Sequence, residues 1–219
     1  MSILVGIPCY NGWISDITNT GLFELGKLLL RHKIDHGLLT LSNQSLISFG
    51  RSKIANFFLN NTQFEYLLFL DSDIGFRAED VIQLLSYKKQ LISGAYPLKT
   101  LPLQWNYTLT EPAVLENPLI GIDSIGIGFS LIHRTVFQAI ADKYGSEIKY
   151  IPQNDTENQQ ISPAEIANSY HFFREMHNGF TWLSEDISFF LRAKSCGFQA
   201  WLDTSIKLRH LGSHIYSSN

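Results

Sequence analysis

The segment Tyr66-Leu67-Leu68-Phe69-Leu70 constrains this chain most, because five apolar residues run without alternation and stop at Asp71-Ser72-Asp73. A strand with apolar side chains on both sides must be covered on both faces, as in a sheet flanked by helices. Ile3-Leu4-Val5-Gly6-Ile7, ending at Pro8, reads the same way. Between and after these strands the period changes to that of helices. Residues 22–30 carry Leu22, Leu25, Leu28 and Leu29, and residues 47–59 would bury Ile54, Phe57 and Phe58 on one face. Residues 79–87 turn Val81, Ile82, Leu84 and Leu85 inward, and 37–41 and 91–96 read as further strands. Alternation of strand and helix predicts an α/β architecture with a mainly parallel, Rossmann-like central sheet.

The second half has a different rhythm. Residues 104–108, 121–125 and 129–133 read as strands without helices between them, so mixed pairing is expected there. Residues 153–160 are polar and read as a loop. Residues 184–196 form a helix, with Ser184 as its cap, Glu185 and Asp186 in its first turn and Gly197 ending it. No repeat or linker interrupts the 219 residues, and one domain is expected.

Composition removes several function classes. A net charge of -3 lacks the basic excess of a nucleic-acid binder. Two cysteines, Cys9 and Cys196, are too few for a disulfide framework and read as buried thiols in a reducing compartment. No apolar run approaches the ~20 residues of a membrane span. The N-terminus lacks a basic stretch followed by an apolar one, so a cytoplasmic protein is expected. Gly126-Ile127-Gly128 is not followed by a third glycine at Leu131, which fails the dinucleotide fingerprint. There is no Walker-type loop and no Gly-x-Ser-x-Gly elbow, and the span from His171 to His177 lacks zinc-protease spacing.

In open α/β sheets, ligands bind beyond the carboxyl ends of the strands. Four clusters fall there: Pro8-Cys9-Tyr10-Asn11, Asp71-Ser72-Asp73, Gly94-Ala95-Tyr96, and Arg209-His210 at the end of the last strand. Asp71 and Asp73 would repel each other when partly buried, and a divalent cation such as Mn²⁺ or Mg²⁺ would relieve both the repulsion and the desolvation. A solvated turn that caps the next helix is the alternative. Glu185 and Asp186 either serve chemistry or complement the helix dipole. His210 and His214 are candidate ligands, or packed and surface residues.

These clusters, in this order, resemble a GT-A glycosyltransferase. The strand into Pro8-Cys9-Tyr10-Asn11 looks like the opening of that fold, and LLFLDSDI (67–74) looks like its DXD strand. IGIGFSLIHRTVF (125–137) is similar to the glycine-containing strand of the acceptor half. LSEDISFFLRAKSCGFQAWLDTSIKLRHLGSHIY (183–216) is similar to the ED helix and closing His-x-Gly strand of short stand-alone enzymes of large DNA viruses and phages. The resemblance implies a nucleotide-sugar-binding half at 1–100 and an acceptor-binding half at 101–219.

It also implies roles. Asp73 and His210 would bind the metal, with Asp71 on the metal or the ribose. Pro8, Tyr10, Asn11 and Ser72 would line the nucleotide, Arg51 would help to hold it, and His214 would meet the diphosphate. Trp182 and Tyr96 would stack on sugar rings, near Gly126 and Gly128. Asp186, with Glu185 beside it, would face the acceptor hydroxyl. Ile187, Phe190 and Leu191 predict one buried helix face, so the two carboxylates should not face the same pocket equally.

The implied activity is metal-dependent transfer of a sugar from a nucleotide-sugar donor, with a UDP-sugar expected, to a hydroxyl of a glycan or glycoconjugate. An inverting outcome is expected. A retaining enzyme of the same fold, or a non-catalytic nucleotide-binding α/β protein, stays open.

Overall fold

The computed structural model describes residues 1–152 and 168–217. The expected loop at 153–160 lies outside them. In chain order the elements are β1 (Ser2–Cys9), α1 (Asp16–Arg31), β2 (Asp35–Ser42), α2 (Ile47–Asn61), β3 (Tyr66–Leu70), β4 (Ile74–Gly75), α3 (Ala78–Ser86) and β5 (Leu91–Gly94). Then follow β6 (Tyr107–Leu109), β7 (Leu115–Glu116), β8 (Leu119–Ile125), β9 (Phe129–His133) and α4 (Arg134–Ile148). The chain closes with β10 (Met176–His177), β11 (Trp182–Leu183), α5 (Glu185–Ser195), β12 (Ala200–Asp203), β13 (Arg209–Leu211) and β14 (Ile215–Ser217).

The main sheet has the order β2-β1-β3-β9-β5-β12-β8-β6, with β7 beside β8. β1 pairs in parallel with β2 and β3, and β5 with β12, whereas β9 and β8 run against their neighbours. The sheet is therefore mixed but mostly of one direction, as the sequence predicts. β9 lies between β3 and β5, so the site edge is built from both halves of the chain.

Both faces of β3 are covered. Leu67 and Phe69 join Ile54, Phe58, Phe137, Phe189 and Phe190 in one core, under α2, α4 and α5. Tyr66, Leu68 and Leu70 join Leu25, Leu29, Val81, Leu84 and Leu85 in another, under α1 and α3. All five residues of β3 are buried, which explains the unbroken apolar run. At roughly 1.5–3 kcal/mol per fully buried large side chain, this strand anchors the loop that follows it.

Several expectations are corrected. α1 begins at Asp16 rather than near Leu22. Asn19-Thr20-Gly21 are poor helix formers, but Ser15 caps the helix and Thr18 donates to the carbonyls of Ser72 and Ile74. α4 is a helix that the sequence reading leaves unassigned. Arg134 at its start donates to the α2 carbonyls of Phe58 and the cap residue Thr62, tying two helices together.

Phe57 is exposed, and Arg51 takes a place on the inner side of α2 with Ile54, Ala55 and Phe58. Cys9 is buried as expected, whereas Cys196 is only half-buried. The last strands do not join the main sheet. β13 pairs with β14 and with β4, placing His210 opposite Ile74. Among the described residues, no helix is long and apolar enough to cross a membrane.

Candidate functional site

A cleft of about 570 Å³ opens beyond the carboxyl ends of β1 and β3. Pro8, Tyr10, Asn11, Trp13, Asp71, Ser72, Asp73 and His210 line it. Tyr10 stands 67% exposed at its edge. The turn after β1 is closed by the Gly12 amide donating to the Cys9 carbonyl, with Gly12 at φ 76°, a conformation that favours glycine. The Asp71-Ser72-Asp73 loop is fastened from three directions. The Ser15 amide donates to the Ser72 carbonyl (2.8 Å), the Asp71 amide to the Gly128 carbonyl (2.9 Å) and the Leu211 amide to the Asp73 carbonyl (2.9 Å). Three remote segments therefore fix the direction in which each aspartate points.

The two aspartates face different partners. Asp71 accepts from the Arg51 guanidinium through both oxygens, at 3.0 and 3.2 Å. The same guanidinium donates to Glu185 at 2.8 Å and to Asp186 at 2.6 Å. Arg51 is buried and is the hub of three carboxylates from two other segments. Burial opposes its charge, but Asp186 and Asp71 outweigh that and hold it firmly protonated. Glu185 and Asp186 thus share one partner. The inner face of α5 is built from Phe189, Phe190 and Ala193, while Leu191 is exposed. This phase leaves both residues of the first turn free to reach Arg51.

Burial is the largest influence on Asp186 and raises it to about 6, with Arg51 and the Ile127 amide pulling the other way and Glu185 and Asp71 adding to the rise. A carboxylate that titrates near neutrality is suited to proton transfer.

Asp73 points to the other side. Its carboxylate accepts from Lys99 Nζ at 2.5 Å and lies 3.5 Å from His210 Nε2. Burial alone would raise Asp73, but the hydrogen bonds from His210 and Lys99 prevail and lower it. His210 Nδ1 lies 2.8 Å from the Pro97 carbonyl, which can only accept. Nδ1 therefore carries a proton, and Nε2 is the atom turned toward Asp73.

The glycines have a steric role. A Cβ on Gly128 would meet the Asp71 carboxyl carbon at 2.7 Å and Tyr96 Oη at 2.9 Å, and one on Gly126 would meet Tyr96 Oη at 2.5 Å. The Gly128 amide donates to Tyr96 Oη (3.2 Å), and the Tyr96 ring packs edge-on against His210. Burial, then the Asp71 charge, hold the Tyr96 phenol protonated.

Pro8, Tyr10, Asn11, Ser72, Asp71, Asp73 and His210 thus meet at the cleft. Arg51, Glu185, Asp186, Tyr96, Gly126 and Gly128 connect to it through Asp71. Two candidates are not brought in. His214 lies on the exposed β13–β14 turn with its ring 4.0 Å from that of Tyr216, and it does not line the cleft. Trp182 is 70% exposed on β11 and has His177 as its ring neighbour. It stands just ahead of Ser184 in the chain, beside the acidic pair.

Sequence reasoning misses Lys99. Its position in the loop beyond β5, at the carboxyl edge of the sheet, is the signal that could have found it.

Of the three expected metal ligands, Asp73 and His210 face each other at 3.5 Å, while Asp71 is turned to Arg51. Among the described residues, no three His, Cys, Asp or Glu side chains are grouped so as to hold a metal ion. Arg51 engages Asp71 while Lys99 engages Asp73, so the repulsion that called for a cation is relieved by the chain's own side chains.

No family model matches this sequence, and no curated protein does. Solved structures do match. A197 from STIV aligns over 100% of this chain and 95% of its own, with 17% identity and a TM-score of 0.56. A glycosyltransferase involved in the glycosylation of the major capsid of PBCV-1 aligns over 63% of each chain, with 11% identity and a TM-score of 0.35. At 17% identity the likeness to A197 concerns the fold alone. The central mixed sheet, most of its strands running in one direction and with helices on both faces, is consistent with the GT-A fold that the motif order implies.

Proposed function

We propose that this protein is a glycosyltransferase that moves a sugar from a nucleoside diphosphate donor to a hydroxyl of a glycan or glycoconjugate, with inversion. The observation that carries the reading is Asp186: a partly buried carboxylate raised to about 6, joined through Arg51 to an aspartate that lines the cleft.

Tyr10 offers an exposed ring to the base, and Pro8, Asn11 and Ser72 follow the nucleoside. Uracil is the expected base. As the glycosidic carbon–oxygen bond to the diphosphate breaks, the acceptor oxygen bonds to that carbon and its proton passes to Asp186. Arg51 positions Asp186, Glu185 and Asp71 together. Tyr96, Gly126 and Gly128 shape the sugar end, and the exposed Trp182 and Phe180 mark the acceptor side of the acidic pair.

The test is a panel of sugar nucleotides, with donor hydrolysis and transfer to oligosaccharides followed by mass spectrometry. The wild-type protein should consume one donor class, and Asp186→Asn should lose about 10²–10⁴-fold in turnover with little change in donor affinity. A protein that binds and turns over no sugar nucleotide overturns the reading.

A further inference from the structure

The cation expected beside Asp73 is already present as a side chain. We propose that Lys99 is the positive charge that receives the donor's diphosphate, in the place where the motif resemblance puts a divalent ion. This rests on the nucleotide reading above.

Three observations set Lys99 beside Asp73. Its Nζ lies 2.5 Å from Asp73 Oδ2, on a carboxylate that lines the cleft. Its stem lies over Gly212, where an added Cβ would meet Lys99 Cδ at 3.1 Å and Cγ at 3.3 Å. Gly212 is held in turn by its amide donating to the His214 carbonyl, and the neighbouring Leu211 amide donates to the Asp73 carbonyl. The β13–β14 turn thus forms a floor that aims the ammonium at the Asp71-Ser72-Asp73 loop.

An ammonium has three donors, and Asp73 takes one, which leaves two for phosphate oxygens. The lysine side chain is 40% exposed and accessible to an incoming anion. A divalent ion on the same Asp73 oxygen would be repelled by Lys99, and Asp71 is committed to Arg51. In this arrangement Asp73 positions Lys99, and the leaving diphosphate meets a lysine rather than a metal. His210 fixes the other side of Asp73, its own ring tied to Pro97.

The experiment is calorimetric titration of UDP, GDP and inorganic pyrophosphate, in EDTA and again in Mn²⁺, on the wild-type protein, Lys99→Met and Lys99→Arg. The methionine keeps the stem and removes the charge, and melting curves check that each variant is folded. Wild type should bind one nucleotide and pyrophosphate in EDTA. Lys99→Met should lose on the order of 10- to 100-fold, the worth of a hydrogen bond to a charged group, and Lys99→Arg should recover part of it. Binding that needs Mn²⁺ and is indifferent to Lys99→Met overturns the lysine while leaving the glycosyltransferase reading intact. Absence of nucleotide binding under both conditions removes both.

Discussion

Asp186→Asn tests the partly buried carboxylate in two independent ways, because the group proposed as the base should also cost stability. Burial carries Asp186 from the ordinary 3.8 to about 6. A carboxyl whose folded value is raised favours the folded state in its protonated form, and that advantage is lost as pH rises through 6. The fully ionised group then costs about 3 kcal/mol, at about 1.4 kcal/mol per pH unit of displacement.

Asparagine has nearly the same shape and no charge, and Arg51 keeps Glu185 and Asp71 as partners. The variant should therefore be more stable than wild type above pH 6, by about 1–3 kcal/mol. For a chain of this length that is roughly 3–9 °C in melting temperature. The gain should be about half as large at pH 5 and small at pH 4, where both proteins hold a neutral group. Urea unfolding at four pH values between 4 and 7.5 measures it. A variant less stable than wild type at neutral pH, or a gain that does not change with pH, would refute the claim that Asp186 is a destabilised, partly buried charge.

Arg51→Met strips the counter-charge from three carboxylates and should cost about 3–5 kcal/mol at neutral pH; urea unfolding that shows under 1 kcal/mol would remove Arg51 as the hub. Gly128→Ala pushes a methyl group into the Asp71 carboxylate and Tyr96, and donor turnover should fall at least about 10-fold. Its control is Gly26→Ala in α1, where an added Cβ meets nothing within 4 Å and helix propensity should raise stability by up to about 1 kcal/mol. Tyr10→Ala, at a 67% exposed ring, should weaken nucleotide binding about 10-fold without moving the melting temperature; equal affinity in calorimetry would place the base elsewhere.

Local pattern alone determined a large part of this protein. The unbroken apolar run of β3 required cover on both faces, and the helices α1, α2 and α3 that supply part of it were legible from their periodicity. The Ser184 cap and Gly197 bounded α5 because capping is a matter of a few neighbouring residues. The clusters that meet at the cleft were legible for a related reason: strand ends in such sheets converge on one edge.

What only the tertiary structure decided is which charge meets which. Asp71 and Asp73 look like one pair in sequence, yet adjacent backbone bonds to Ser15, Gly128 and Leu211 turn them toward Arg51 and Lys99, residues 20 and 26 positions away. Glu185 and Asp186 meet Arg51 across 134 and 135 positions. His214 looked equivalent to His210, but the β13–β14 turn carries one outward and pins the other beside Asp73. Propensity and periodicity act over a few residues. The pairing of buried charges depends on desolvation and on contacts across the sheet edge, and those exist only once the chain is folded.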